Sequence, residues 1–170
     1  ASASNAKTLV VVLAKGGVHE LDAQTGQLNF LFACSGSSGL AVSADGDFVA
    51  AFEKSNVKLF DVKRGAVAAI RANHDVECAA FHPSQRTLAV GLRPGKVQFW
   101  HWQEKRRVED KAASGMTYDF VAEQMHWHAH GCYTLTFAGD KGRTLVSGGE
   151  EDAVLFWQTE TRQKLFTPHL

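Results

Sequence analysis

The sequence has no excess of charge of either sign. Lys plus Arg number 18, and Asp plus Glu number 18, in 170 residues. That balance argues against a broad electrostatic surface for nucleic acid, while leaving room for a local basic patch. Cysteine is scarce and odd in number: Cys34, Cys78 and Cys132 stand far apart along the chain. This argues against a disulfide framework and points to a reducing compartment. Long hydrophobic runs are missing. The longest, Leu9 to Ala14, is far short of the roughly 18 residues that span a bilayer, so no membrane contact is expected. Lys7 in front of it invites a signal-peptide reading, but so short and Val-rich a run reads better as a strand. Strong helical periodicity is absent throughout. Ser-His-Asp and Cys-His arrangements have no recognisable local context, so neither an enzyme nor a cofactor is expected.

What is present is a repeat. With 45% hydrophobic residues and 11 Phe, the chain suits one globular domain with a sizeable core. Four segments align without gaps: "VHELDAQTG", "VKLFDVKRG", "VQFWHWQEK" and "VLFWQTETR". They place Asp22, Asp61, His101 and Gln158 in one column, at intervals of 39, 40 and 57 residues. Upstream of each lies a second apolar stretch: "LVVVL", "FVAAF", "LAVGL" and "LVSGG". Three of these are preceded in turn by "GLAVSADGD", "CAAFHPSQR" and "LTFAGDKGR", each ending in turn-forming residues. One unit therefore reads as four strands joined by tight turns, with "LNFLF", "AVAAI", "FVAEQMHW" and "QKLF" as fourth strands. Nearly unbroken apolar strands such as "VLFW" are buried on both faces. A small sheet with two apolar faces needs a neighbour on each side, and radial stacking of such sheets makes a β-propeller.

At this point the chain resembles the WD-repeat family, whose units carry a Gly-His pair and a Trp-Asp pair in a period of about 40–45 residues. The His column holds Ser35, His74 and His130; the Trp column holds Leu21, Phe60, Trp100 and Trp157. The resemblance implies an all-β, partial propeller of about four four-stranded blades, the first incomplete. A polar extension, 1–7, would precede blades at 8–33, 39–71, 76–127 and 131–167, with an insertion at 103–119. It also implies, within each blade, a buried hydrogen-bonded network of His, Ser or Thr, Asp and Trp. The position that usually holds the Asp is Pro94 in the third unit and Glu151 in the fourth. Incomplete networks are therefore expected, with His74, Trp100, His130, Trp157, Phe60, Asp61 and Asp22 as structural residues. Packing of Trp100, Trp157, Phe60 and Phe99 should carry most of the stability. An open arc would leave an apolar sheet face at each end, to be covered by further chain, a partner or another copy.

"MHWHAHG" alternates His126, His128 and His130. On a strand such residues share a face and could supply zinc ligands. No nearby Asp, Glu or Cys has motif spacing, so His130 is expected as a core histidine, with His126 and His128 at the blade edge. "SGSSG" follows a strand but leads into another strand, not a helix, and is read as a loop. The acidic "GGEED" is read as a solvated turn. The insertion "QEKRRVEDKAASGMTYD" is read as a flexible loop ahead of a partner-binding arm. Its Lys105, Arg106 and Arg107 could meet a phosphate backbone or an acidic partner. Arg93, Lys96, Glu150 and Glu151 on exposed turns are the other candidate contacts for a partner or RNA.

The last 45 or so residues are more particular. The run His126-Trp127-His128, then "LVSGGEEDAVLFW" and "KLFTPHL", is similar to the nucleolar WD-repeat subunits of the small-subunit processome. This implies a non-enzymatic scaffold in pre-rRNA processing that also supports RNA polymerase I transcription. Its partners would be other WD-repeat and helical subunits of a large pre-ribosomal complex, with pre-rRNA or small nucleolar RNA, in the nucleolus. The rival readings are a WD adaptor in another assembly, such as a ubiquitin ligase, trafficking coat or chromatin complex, and a metal-binding protein using the three histidines.

Overall fold

The computed structural model describes residues 8–13, 17–34, 36–106, 116–126, 128–139 and 141–166. The expected extension at 1–7 lies outside them, as do Ser35, Arg107 and Trp127. Every regular element among the described residues is a strand. Blade 1 comprises β1 (Thr8–Leu13), β2 (Gly17–Asp22) and β3 (Leu28–Phe32). Blade 2 comprises β4 (Gly39–Val42), β5 (Phe48–Glu53), β6 (Asn56–Asp61) and β7 (Ala66–Arg71). Blade 3 comprises β8 (Val76–Phe81), β9 (Thr87–Leu92), β10 (Lys96–Arg106) and β11 (Met116–His126). Blade 4 comprises β12 (Cys132–Ala138), β13 (Thr144–Gly149), β14 (Val154–Gln158) and β15 (Lys164–Phe166). Each blade is an antiparallel meander in chain order.

The blades stack because each strand sends alternate side chains into two different seams. In β5, Phe48, Ala50 and Phe52 join Leu88, Val90 and Trp100 of blade 3 in one cluster. Val49 and Ala51 join Val18 and Phe32 of blade 1 in another. In β10, Trp100 and Trp102 face blade 2, while Val97 and Phe99 face Leu145, Leu155 and Trp157 of blade 4. A period of two with apolar residues on both phases is the reason that "FVAAF" and "LAVGL" show no polar alternation. The innermost strand of blade 3, β8, lies against β4 on one side and β12 on the other, so the first strands gather toward a common axis. Tight turns keep the meanders short. At Arg93-Pro94-Gly95, the Gly95 N–H donates to the Leu92 carbonyl at 3.0 Å. Gly95 itself takes a left-handed φ of 76°, which a residue without Cβ adopts freely.

One region departs from the sequence expectations. Much of the insertion at 103–119 is strand rather than loop. β10 and β11 remain in register from Lys96↔His126 out to Arg106↔Met116, forming a long hairpin. The outer ladder continues the register set by the inner part, which is anchored in the core. The ends of the arc carry the apolar sheet faces that an open arc was expected to leave. Leu21, in the Trp column of blade 1, points to the side where no described blade stands. It shares that face with His19 and with Phe30, which is 61% exposed, and Leu28, which is 49% exposed. At the other end, Val146 and Phe156 of blade 4 stand in one row, both half-buried.

Candidate functional site

Within blade 4 a chain of polar groups runs through the interior. Ser147 comes from β13 and Trp157 from β14; His128 precedes β12, and Glu151 lies in the β13–β14 turn. The Trp157 indole N–H donates to Ser147 Oγ at 3.0 Å. Ser147 Oγ meets His128 Nε2 at 2.8 Å, and His128 Nδ1 bonds the Glu151 carboxylate. His128 is placed by its own backbone N–H, which donates to the Gly95 carbonyl of blade 3 at 3.0 Å. The hydroxyl donates to a neutral imidazole and accepts from a charged one, so the relay persists in either state. Burial pushes His128 down, but the neighbouring Cys132 and the bonded Glu151 outweigh it and raise the imidazole above its ordinary range. Partial burial pushes Glu151 up; its own backbone N–H and His128 outweigh that and hold the carboxyl low.

Four sequence expectations are corrected. The core histidine is His128, not His130, which is exposed. Counting back from Gly131 selected the wrong histidine, because the ring must reach Ser147 on β13 and Glu151 in the turn that follows it. The blade 4 network is complete, since the extra methylene of Glu151 lets it serve where an Asp is usual. Glu151 is therefore engaged with His128 and is withdrawn as a partner contact. His74 is also exposed and takes no place in a core network. As for a zinc site, both ring nitrogens of His128 are taken by protein partners, and His130 points to solvent.

The other blades solve the same problem differently. In blade 3, Trp100 Nε1 donates to Gln98 Oε1 at 3.2 Å, and the Gln98 amide donates to Gln124 Oε1 at 2.9 Å. A glutamine pair replaces the histidine relay where Pro94 cannot supply a carboxylate. In blade 2, Phe60 stacks on Phe32 of blade 1 with ring centroids 4.9 Å apart and has no polar group to satisfy. The Asp column proves to be a turn-capping column. Asp22 accepts from the backbone N–H groups of Gln24 and Thr25 at 2.8 and 2.9 Å; those of Thr25 and Gln24 hold its carboxyl below the usual range. Asp61, buried, accepts from the Arg64 backbone at 3.0 Å and pairs with its guanidinium at 2.9 Å.

The candidate contact residues fall at two opposite ends of the blades. Arg93, Lys96 and Glu150 stand on the β9–β10 and β13–β14 turns. There Arg93 pairs with Glu77 at 2.8 Å and the Tyr133 hydroxyl donates to Glu150 at 3.3 Å. Lys105 and Arg106 lie at the far end of β10, about 30 Å from Lys96 by strand rise. Arg107 lies outside the described residues. On that far side two crevices open at the blade seams. One, of about 230 Å³, lies between the Ser43–Asp47 and His82–Arg86 turns; the other, of about 220 Å³, between His82 and Arg162. Both are below the roughly 300 Å³ of a small-molecule pocket and fit single side chains better. Arg162, which carried no sequence signal, ties the seam between blades 3 and 4. It covers the Phe99 ring at 4.1 Å and bonds Glu123 at 2.7 Å.

No family model matches the chain. It is 28% identical over 139 residues to WD repeat-containing protein 75 of Homo sapiens, covering 79% of this chain and 15% of that protein. It is 39% identical over 51 residues to U3 small nucleolar RNA-associated protein 17 of Schizosaccharomyces pombe, covering 30% of this chain and 6% of that protein. The chain thus spans a small part of the curated relatives it matches. A chain in the crystal structure of the Mitotic Checkpoint Complex superposes with a TM-score of 0.70 at 18% identity, covering 95% of this chain and 47% of the other. Four stacked antiparallel meanders give the chain the fold of a β-propeller arc, and its sequence is similar to that of WD repeat-containing protein 75.

Proposed function

We propose that the chain is part of a non-enzymatic scaffold in ribosome biogenesis, acting in the nucleolus within a small-subunit pre-ribosomal particle that contains U3 small nucleolar RNA. The observation that carries this is the sequence similarity to WD repeat-containing protein 75 along most of the chain. The second relative, whose name records association with U3 small nucleolar RNA, supports the same assembly. The geometry fits a scaffold. Three apolar seams hold the blades rigid, so the turns and the β10–β11 hairpin are presented at fixed positions to partners. The contact surfaces are the basic hairpin end, Lys105 to Arg107, and the turn face with Arg93, Lys96 and Glu150. Partners are other WD-repeat and helical subunits, with pre-rRNA reached through the hairpin, and the assembly supports RNA polymerase I transcription.

Affinity purification of the tagged full-length protein, followed by RNA sequencing and mass spectrometry, tests this. Enrichment of small-subunit rRNA precursors and U3 RNA is the expected result. Recovery of ubiquitin-ligase, coat or chromatin subunits without pre-rRNA would replace the reading with that of a WD adaptor in another assembly.

A further inference from the structure

Where blade 3 meets blade 4, two cysteines and a histidine share one part of the interior. Cys78 sits on β8 and Cys132 on β12, the first strands of adjacent blades. Each stands beside a break in its ladder, between Val76 and Cys78 and between Cys132 and Thr134. Such bulges re-aim a side chain and leave the strand free to bend locally. The Cys78 thiol donates to the Cys132 carbonyl at 3.2 Å. Both sulfurs converge on Gly91: a β-carbon there would stand 2.5 Å from Cys78 Sγ and 2.9 Å from Cys132 Sγ. The missing side chain of Gly91 is the space in which the sulfurs meet. Both are free thiols. Cys132 is fully buried and Cys78 half-buried.

We propose that Cys78 and Cys132 are a modification site: a thiol pair that a peroxide converts to a reversible disulfide, joining blade 3 to blade 4. Cys132 is the attacking sulfur. The adjacent Cys78 thiol, and then the neighbouring His128, outweigh burial and lower its thiol to about 6. Cys78 is pushed above the usual thiol range by the Cys132 sulfur and by burial, and so keeps its proton. The Cys132 thiolate attacks hydrogen peroxide; an S–O bond forms, the O–O bond breaks, and hydroxide leaves as water after taking a proton. Cys78 then attacks the sulfenic sulfur. The S–S bond forms and the sulfenic oxygen departs as a second water with the Cys78 proton. Two thiols have lost two electrons to one peroxide, and a thiol reductant returns them. Closure asks the Cβ atoms to reach roughly 3.5–4.5 Å, and the two bulges are where the strands can yield. Cys34, in the seam between blades 1 and 2, takes no part.

The test treats the 170-residue chain with hydrogen peroxide, blocks free thiols by alkylation, and maps the unreduced digest by mass spectrometry. A Cys78–Cys132 linked peptide pair within one chain, lost on adding a thiol reductant, with Cys34 alkylated, is expected. Cys34→Ser should retain the link. In Cys78→Ser, dimedone should trap a sulfenic acid at Cys132. Alkylation of both Cys78 and Cys132 after peroxide, a link that includes Cys34, or a link only between chains overturns the proposal.

Discussion

Trp157 and Trp102 are both buried, yet their indole N–H groups fare differently. Trp157 donates into the Ser147–His128 relay, whereas Trp102 Nε1 is buried with no hydrogen-bond partner. An unsatisfied buried donor costs free energy, and removing one is nearly neutral. Trp157→Phe should therefore destabilise the chain by about 1–3 kcal/mol more than Trp102→Phe, read by urea unfolding. Equal losses would show that the relay contributes nothing beyond packing. Glu151 adds a pH signature. A carboxyl held below its ordinary 4.5 stabilises the fold above that value, and the benefit is lost as pH falls through the depressed one. An imidazole held above its ordinary 6.5 stabilises below that value, and the benefit is lost as pH rises through the raised one. The stability gap between the parent chain and Glu151→Gln should be widest, about 2 kcal/mol, between about pH 5 and pH 6.5, and narrow on both sides. A gap constant from acid to alkaline pH would mean that no ion pair forms. At this scale the sequence was partly legible. Trp100 and Trp157 declared themselves by column. His128 did not, because three histidines at alternate positions are equivalent until strands β13 and β14 fix where the ring must reach.

At the scale of elements, the β10–β11 hairpin is the feature that departs most from a plain blade. Its inner part, from Val97 to Trp102, is anchored in both seams by Val97, Phe99, Trp100 and Trp102. Among the described residues, its outer part pairs β10 with β11, from Gln103↔Asp119 to Arg106↔Met116. Stability should follow that division. Replacing residues 104–118 with a short Gly-containing turn should leave the melting temperature within a few degrees, since surface changes away from core features cost about 0.5 kcal/mol or less. The same replacement should lower recovery of pre-rRNA with the full-length protein several-fold. A large fall in melting temperature would instead make the hairpin part of the core. The insertion was visible in the sequence as an extra-long interval. Its strand character was not, because "QEKR" and "MTYD" have no apolar alternation to signal it, and only the register continuing from the buried part of the ladder imposes it.

For the whole molecule, the decisive fact is that both ends of the arc present sheet faces. Phe30 and Leu28 are exposed together with His19 and Leu21 beside them, a contiguous patch rather than scattered residues. The isolated chain should therefore self-associate in sedimentation velocity as its concentration rises, and Phe30→Lys should reduce that association. Val121→Lys should not, although Val121 is 63% exposed, because it stands singly on the outer strand. If both variants sediment like the parent, the end face is not what brings copies together.

The number of blades and their strand order are written in the chain itself. A period near 40 residues, turn residues at fixed offsets and apolar residues on both phases of each strand leave a radial stack of small sheets as the way to bury them. What only the tertiary structure decided is which polar groups meet in the seams. The relay of His128, Ser147, Trp157 and Glu151, the Gln98–Gln124 substitute in blade 3, and the meeting of Cys78 with Cys132 over Gly91 each join residues from different strands or different blades. Such encounters depend on register, bulges and the packing of one sheet on the next, and a one-dimensional pattern carries no record of those distances.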